Sequence, residues 1–232
     1  MNQFRLPLFC IAATTLASIS FAQTTFDTMS SWDGGNSIGS FGNPDSATYG
    51  QTFLAPTDSM MLDYSFQLRG ATGVNFQLRG MLFDWTGSLT GSGGGGVGAP
   101  IYTSAPIVVN GNNAFQQVTI NPNTILIPGH SYVAAISVSD PVDYAATTGS
   151  GVMGFNWFNH GANNGGGGFV WANNGNDPSA LNGGWSTWDD YGDAAFTAHF
   201  ASAQAVPEPA SMLALGGGAL AMMRRRRKAR QA

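Results

Sequence analysis

Asp189, Asp190 and Asp193 put three carboxylates within five residues, in the run Trp188-Asp189-Asp190-Tyr191-Gly192-Asp193. Closely spaced carboxylate, amide and carbonyl oxygens are the ligands that a hard cation such as calcium takes. The run lacks the closing glutamate of a helix-flanked calcium loop, and a strand pattern follows it. It therefore reads either as a structural calcium site, completed by Asp177 or Asp33, or as a solvated turn. The same stretch is rich in rings: Trp157, Phe158, Phe169, Trp171, Trp185, Trp188 and Tyr191 lie among glycines and asparagines. Trp157, Trp171, Trp185 and Trp188 are candidates for glycan contact, because indole faces hold sugar rings by stacking while amides bond their hydroxyls. The opposing reading is that the rings plug a core beneath glycine-rich loops, where each could bury about 150–250 Å².

Other chemistry is poorly represented. His130, His160 and His199 are far apart, and no pair has metal-ligand spacing. There is no Gly-x-Ser-x-Gly elbow or dinucleotide fingerprint, and the glycine run 93–96 lacks the lysine and helix of a phosphate cradle. A glycosidase needs one acid of raised pKa beside a second carboxylate, yet residues 23–205 contain no glutamate. The expectation is a protein without catalytic activity. A calcium-dependent lectin-like module is the alternative, with an aspartate-based glycan hydrolase behind it.

Charge narrows the partners. Between residues 23 and 205 the only Lys or Arg residues are Arg69 and Arg79, against twelve aspartates, a balance of 2 − 12 = −10. Such a surface repels phosphate backbones and anionic headgroups, which argues against nucleic acid and leaves cations or neutral polymers. The single cysteine, Cys10, lies in the apolar N-terminal segment, so no disulfide or thiolate site is available to the body.

The elements that must position these groups are strands. Residues 62–69 alternate strictly, with Leu62, Tyr64, Phe66 and Leu68 apolar, and residues 74–79 repeat the parity in Val74, Phe76 and Leu78. SFQLRG at 65–70 is nearly copied as NFQLRG at 75–80. A hairpin with a three-residue loop at 70–72 would pair Phe66 with Phe76 and set Arg79 opposite Asp63. At Gly80 the apolar parity slips to Met81, Phe83 and Trp85, which predicts a bulge or bend there. Further strands are expected near 101–103, 107–109, 115–120, 125–127, 132–138 and 194–200. The fold class is all-β, an antiparallel β-sandwich of jelly-roll type spanning residues 23–201.

Both ends read as processing segments. Residues 1–5 carry one positive charge, 6–19 are apolar or small, and Ser20-Phe21-Ala22 is a small-x-small exit, the pattern of a cleavable signal helix cut between Ala22 and Gln23. After a flexible linker at 202–205 comes Val206-Pro207-Glu208-Pro209, then the uncharged run 210–223, then Arg224, Arg225, Arg226, Arg227 and Lys228 within a basic stretch reaching 230. As a helix, fourteen residues reach about 21 Å, short of the roughly 30 Å hydrocarbon core. Gly216, Gly217 and Gly218 weaken the helix further. The basic cluster stays cytoplasmic, which turns the body outward.

In this order of elements the C-terminus, residues 206–232, resembles the PEP-CTERM sorting signal. The resemblance implies that an exosortase recognises Pro207, Glu208 and Pro209 and removes the short transmembrane helix and basic tail. It further implies a Gram-negative host that makes exopolysaccharide. The route would run through the general secretion machinery and a transient inner-membrane intermediate to the cell surface or extracellular matrix.

Overall fold

The computed structural model describes residues 23–43, 46–89, 94–139, 151–157, 165–182, 184–187 and 192–203. Cys10, the signal segment, His160, Trp188, Asp189, Asp190 and the whole of the tail from 204 lie outside them. Among the described residues no helix is long and apolar enough to cross a membrane.

Among the described residues fifteen strands form two antiparallel sheets. The first contains β1 (Gln23–Asp27), β2 (Ser37–Phe41), β4 (Met60–Gly70), β8 (Gln116–Ile120), β9 (Thr124–Ile125), β11 (Gly151–Trp157), β14 (Gly192–Ala194) and β15 (Phe196–Ala201). The second contains β3 (Thr48–Leu54), β5 (Phe76–Asp84), β6 (Tyr102–Thr103), β7 (Ile107–Val109), β10 (Ser131–Ser137), β12 (Phe169–Ala172) and β13 (Ser186–Thr187). The connections β3 to β4, β4 to β5, β7 to β8, β9 to β10 and β10 to β11 each carry the chain from one sheet to the other. Apolar residues of both sheets meet in one cluster. Phe53 of the second sheet lies 5.7 Å from Phe200 of the first, and Phe155 of the first meets Phe169 of the second edge to face at 5.2 Å. Each such side chain contributes about 1.5–3 kcal/mol on burial, and without a cysteine in the body this packing carries the stability.

The expected hairpin is not formed. β4 and β5 lie in different sheets, β4 pairing with β15, β11, β8 and β9, and β5 with β10, β6 and β7. Residues 70–75 are an arch whose backbone is tied to the turn at 110–113: Gly73 N–H donates to Gly111 O at 2.7 Å and Asn113 N–H to Gly70 O at 3.1 Å. Phe66 and Leu68 on one arm and Phe76 and Leu78 on the other are all buried, but they enter one core from different sheets instead of lying side by side. Arg79 accordingly does not compensate Asp63. Its Nη1 donates to Ser104 O at 3.0 Å, while Asp63 Oδ1 meets His199 Nδ1 at 2.6 Å.

Nor does β5 bulge at Gly80, since its ladder with β10 runs in continuous register from Arg79↔Ser137 to Asp84↔Tyr132. Both faces of this strand are covered. Phe76, Leu78 and Leu82 enter the main core, whereas Met81, Phe83 and then Trp85 enter a second apolar cluster on the outer face. That cluster is closed by Val97, Leu181 and Trp185 from loops folded over the sheet. The register break lies on β4, where Asp63 pairs with His199 but Met61 with Phe200, leaving Leu62 as the extra residue. Met61 is fully buried in its place and Leu62 only half-buried.

Gly80 instead makes room. A Cβ there would stand 2.3 Å from Ile120 Cγ1 and 2.9 Å from the Tyr64 hydroxyl. Gly80→Ala should therefore destabilise the protein by about 1–3 kcal/mol through overpacking, read by denaturant titration. The loss should be smaller in an Ile120→Ala background, which removes both γ carbons of that side chain; additive effects of the two substitutions would show that the crowding lies elsewhere.

Candidate functional site

Two of the predicted tryptophans come together. On β11, Phe155 is fully buried and Trp157, two residues on and so on the same face, is partly exposed. On β12, Phe169 and Trp171 repeat the arrangement. Trp157 and Trp171 line one open pocket of about 280 Å³ with Tyr49 of β3, Ser37 to Ser40 of β2, and Ser46. Each ring is braced by a core phenylalanine. Phe155 meets Trp157 edge to face at 4.8 Å, and Phe169 stacks on Trp171 at 5.9 Å and 18°. Tyr49 touches Phe41 at 5.0 Å and Phe169 at 5.1 Å, and its hydroxyl donates to Gly39 O.

The rest of the lining brings three serines beside Ile38 and Gly39, and its backbone is bent. Ser40 has φ = +63°, a left-handed conformation that non-glycine residues seldom take. The bend lets Ser46 N–H reach Ser40 O at 3.2 Å and Gly42 N–H reach Ser46 O at 2.8 Å. Ser46 Oγ in turn donates to Asn173 Oδ1 at 2.7 Å. No charged side chain occurs among the described residues that line the pocket.

The other candidates are placed elsewhere. Trp185 lies in the second apolar cluster, 3 % exposed, and its indole N–H donates to Leu181 O at 3.0 Å. It meets Trp85 edge to face at 6.1 Å and offers no face to a ligand. Asp193 is fully buried and accepts from Gln51 Nε2 at 2.7 Å, while Gln51 Oε1 accepts from Ala194 N–H at 3.1 Å. That carboxylate joins β3 of one sheet to β14 of the other. Asp33 and Asp177, the suggested completing ligands, bond within their own turns. The amides of Asn36 and Gly35 hold Asp33 below the usual carboxylate range, and the Ser179 hydroxyl and amide do the same for Asp177. Among the described residues no group of three His, Cys, Asp or Glu side chains could hold a metal ion.

Sequence reasoning found Trp157 and Trp171 but not Tyr49, Ser37, Ser40 or Ser46. Those residues sit more than a hundred positions away along the chain, and nothing in their local pattern marks them as a wall.

Residues 205–228 match the PEP-CTERM protein-sorting motif, which implies an exosortase as processing partner and export to the cell envelope or surface. No curated protein and no solved structure matches the chain.

The two classes of tryptophan should respond differently to truncation. Trp185→Ala opens a cavity in a closed cluster and should cost about 3–5 kcal/mol of stability. Trp171→Ala removes a ring that already faces solvent and should cost clearly less. Denaturant midpoints of the two variants compare them directly, and equal losses would show that Trp171 is a core residue.

Proposed function

We propose that this chain is an exosortase substrate of a Gram-negative bacterium whose folded body works outside the cell without catalysis, in association with exopolysaccharide. The observation that carries the reading is the sorting motif at 205–228. The general secretion machinery exports the chain and cleavage follows Ala22. Residues 210–223 hold the intermediate in the inner membrane, with Arg224, Arg225, Arg226, Arg227 and Lys228 inside. The exosortase then acts at Pro207, Glu208 and Pro209 and leaves the body at the surface or in the extracellular matrix.

Four of the described aspartates are engaged in ways that fit a non-catalytic body. A glycoside-cleaving acid must keep its proton near neutral pH, whereas Asp33 and Asp177 are held in the ionised form by amide and hydroxyl donors. Asp58 accepts from Thr24 Oγ1 at 2.9 Å and from Ser202 Oγ at 2.7 Å, a clasp between the first strand and the chain just past the last. Asp193 is spent on Gln51.

Glu208→Ala, or deletion of residues 224–228, should leave a longer form in the inner-membrane fraction, seen by immunoblot against the body. A variant that matches the parent in size and location would sink the sorting reading.

A further inference from the structure

We propose that the pocket between Trp157, Trp171 and Tyr49 binds a single neutral saccharide ring presented by a polysaccharide. For the source of that ligand the proposal rests on the surface reading above. Three features of the pocket select this chemistry.

The first is the set of rings. The apolar C–H face of a pyranose packs on an aromatic face, and rings that are already fixed lose little freedom when they bind. Phe155 and Phe169 brace Trp157 and Trp171 from the core, and Tyr49 is fixed at its hydroxyl by Gly39 O. Indoles serving only as core would enclose no such space, yet these two stand on opposite sheets with about 280 Å³ between them and their neighbours.

The second is the polar wall. Ser37 and Ser40 bring hydroxyls to the pocket, and each can donate and accept, as a sugar hydroxyl requires. Ser40 holds a left-handed backbone there, and backbone strain of that kind gathers at ligand-binding sites. An acyl chain would leave these hydroxyls without use.

The third is charge and size. With no charged side chain among the described lining residues, neither an anion nor a cation is compensated, and a body near −10 repels acidic polymers. The volume, about 280 Å³, lies just under the roughly 300–1,000 Å³ of drug-sized ligand sites, room for one ring and not for a run of them.

The test uses the processed protein recovered from the cell surface. Affinity electrophoresis through gels containing a glucan, a galactomannan or an arabinoxylan, with alginate as the acidic comparison, should show retardation by at least one neutral polymer. Trp157→Ala and Trp171→Ala should each weaken it about tenfold, or ~1.4 kcal/mol, while Trp171→Tyr keeps most of it. Because an alanine variant could lose its fold, the parent protein is also titrated with the component monosaccharides of the retarding polymer. The indole N–H resonances of Trp157 and Trp171 should shift while those of Trp85 and Trp185 stay in place. The proposal is overturned if no neutral polymer retards the protein, if alginate alone does, if a proline-rich peptide shifts the two resonances and sugars do not, or if Trp185 responds instead. Failure here leaves tail processing untouched, and normal processing of Glu208→Ala would leave the titration untouched, so the two readings fall separately.

Discussion

The hydroxyl of Tyr64 lies within hydrogen-bonding distance of Met81 O at 2.9 Å and Ala135 O at 3.0 Å, from a strand of one sheet to two strands of the other. The ring is fully buried, and burial pushes its phenol well above the ordinary tyrosine value. The group is therefore a neutral donor at ordinary pH. A buried polar atom without a partner costs about 1–3 kcal/mol, so the sheets are held at the separation that satisfies it. Met81 and Ala135 are partners in the β5–β10 ladder, which makes the tie a fixed point in the middle of the second sheet. Gly80 leaves the space through which the phenol and Ile120 approach that sheet.

The second sheet has neither face simply open to water. Its outer face is capped by Trp85, Trp185 and Leu181, and the glycine-rich segment lies against them: a Cβ on Gly95 would stand 2.4 Å from the Trp85 ring. This explains how a chain of modest hydrophobicity and no disulfide closes two apolar clusters. It also separates the tryptophans by role. Trp185 is held in the capping layer, whereas Trp157 and Trp171 stand where the two sheets part and the main core ends in a pocket.

Much of the strand content was legible, because period-two alternation marks a strand with one buried face whatever its partners. Residues 62–69, 76–79, 132–137 and 196–200 all lie in strands. Partnership was not legible. Phe66 and Phe76 show the same parity whether two strands lie side by side or face each other across a core, and the deciding contacts come from Gly111 and Asn113, some forty residues downstream. The parity change after Gly80 was real but had a different cause, a second buried face covered by residues a hundred positions away. In the pocket, aromatic enrichment pointed to Trp157 and Trp171. Their polar wall comes from Ser37, Ser40 and Ser46, which no local pattern could join to them.

The last strand of the body is not at an edge. β15 lies between β1 and β4, with Ala198 flanked by Phe26 on one side and Tyr64 on the other. Antiparallel hydrogen bonds run perpendicular to the strands, so tension applied to the chain beyond Ala201 acts along β15 and loads both ladders in shear. An edge strand would carry the same load through one ladder only. A body tethered through this strand can be dragged by its tail without unravelling from the point of attachment.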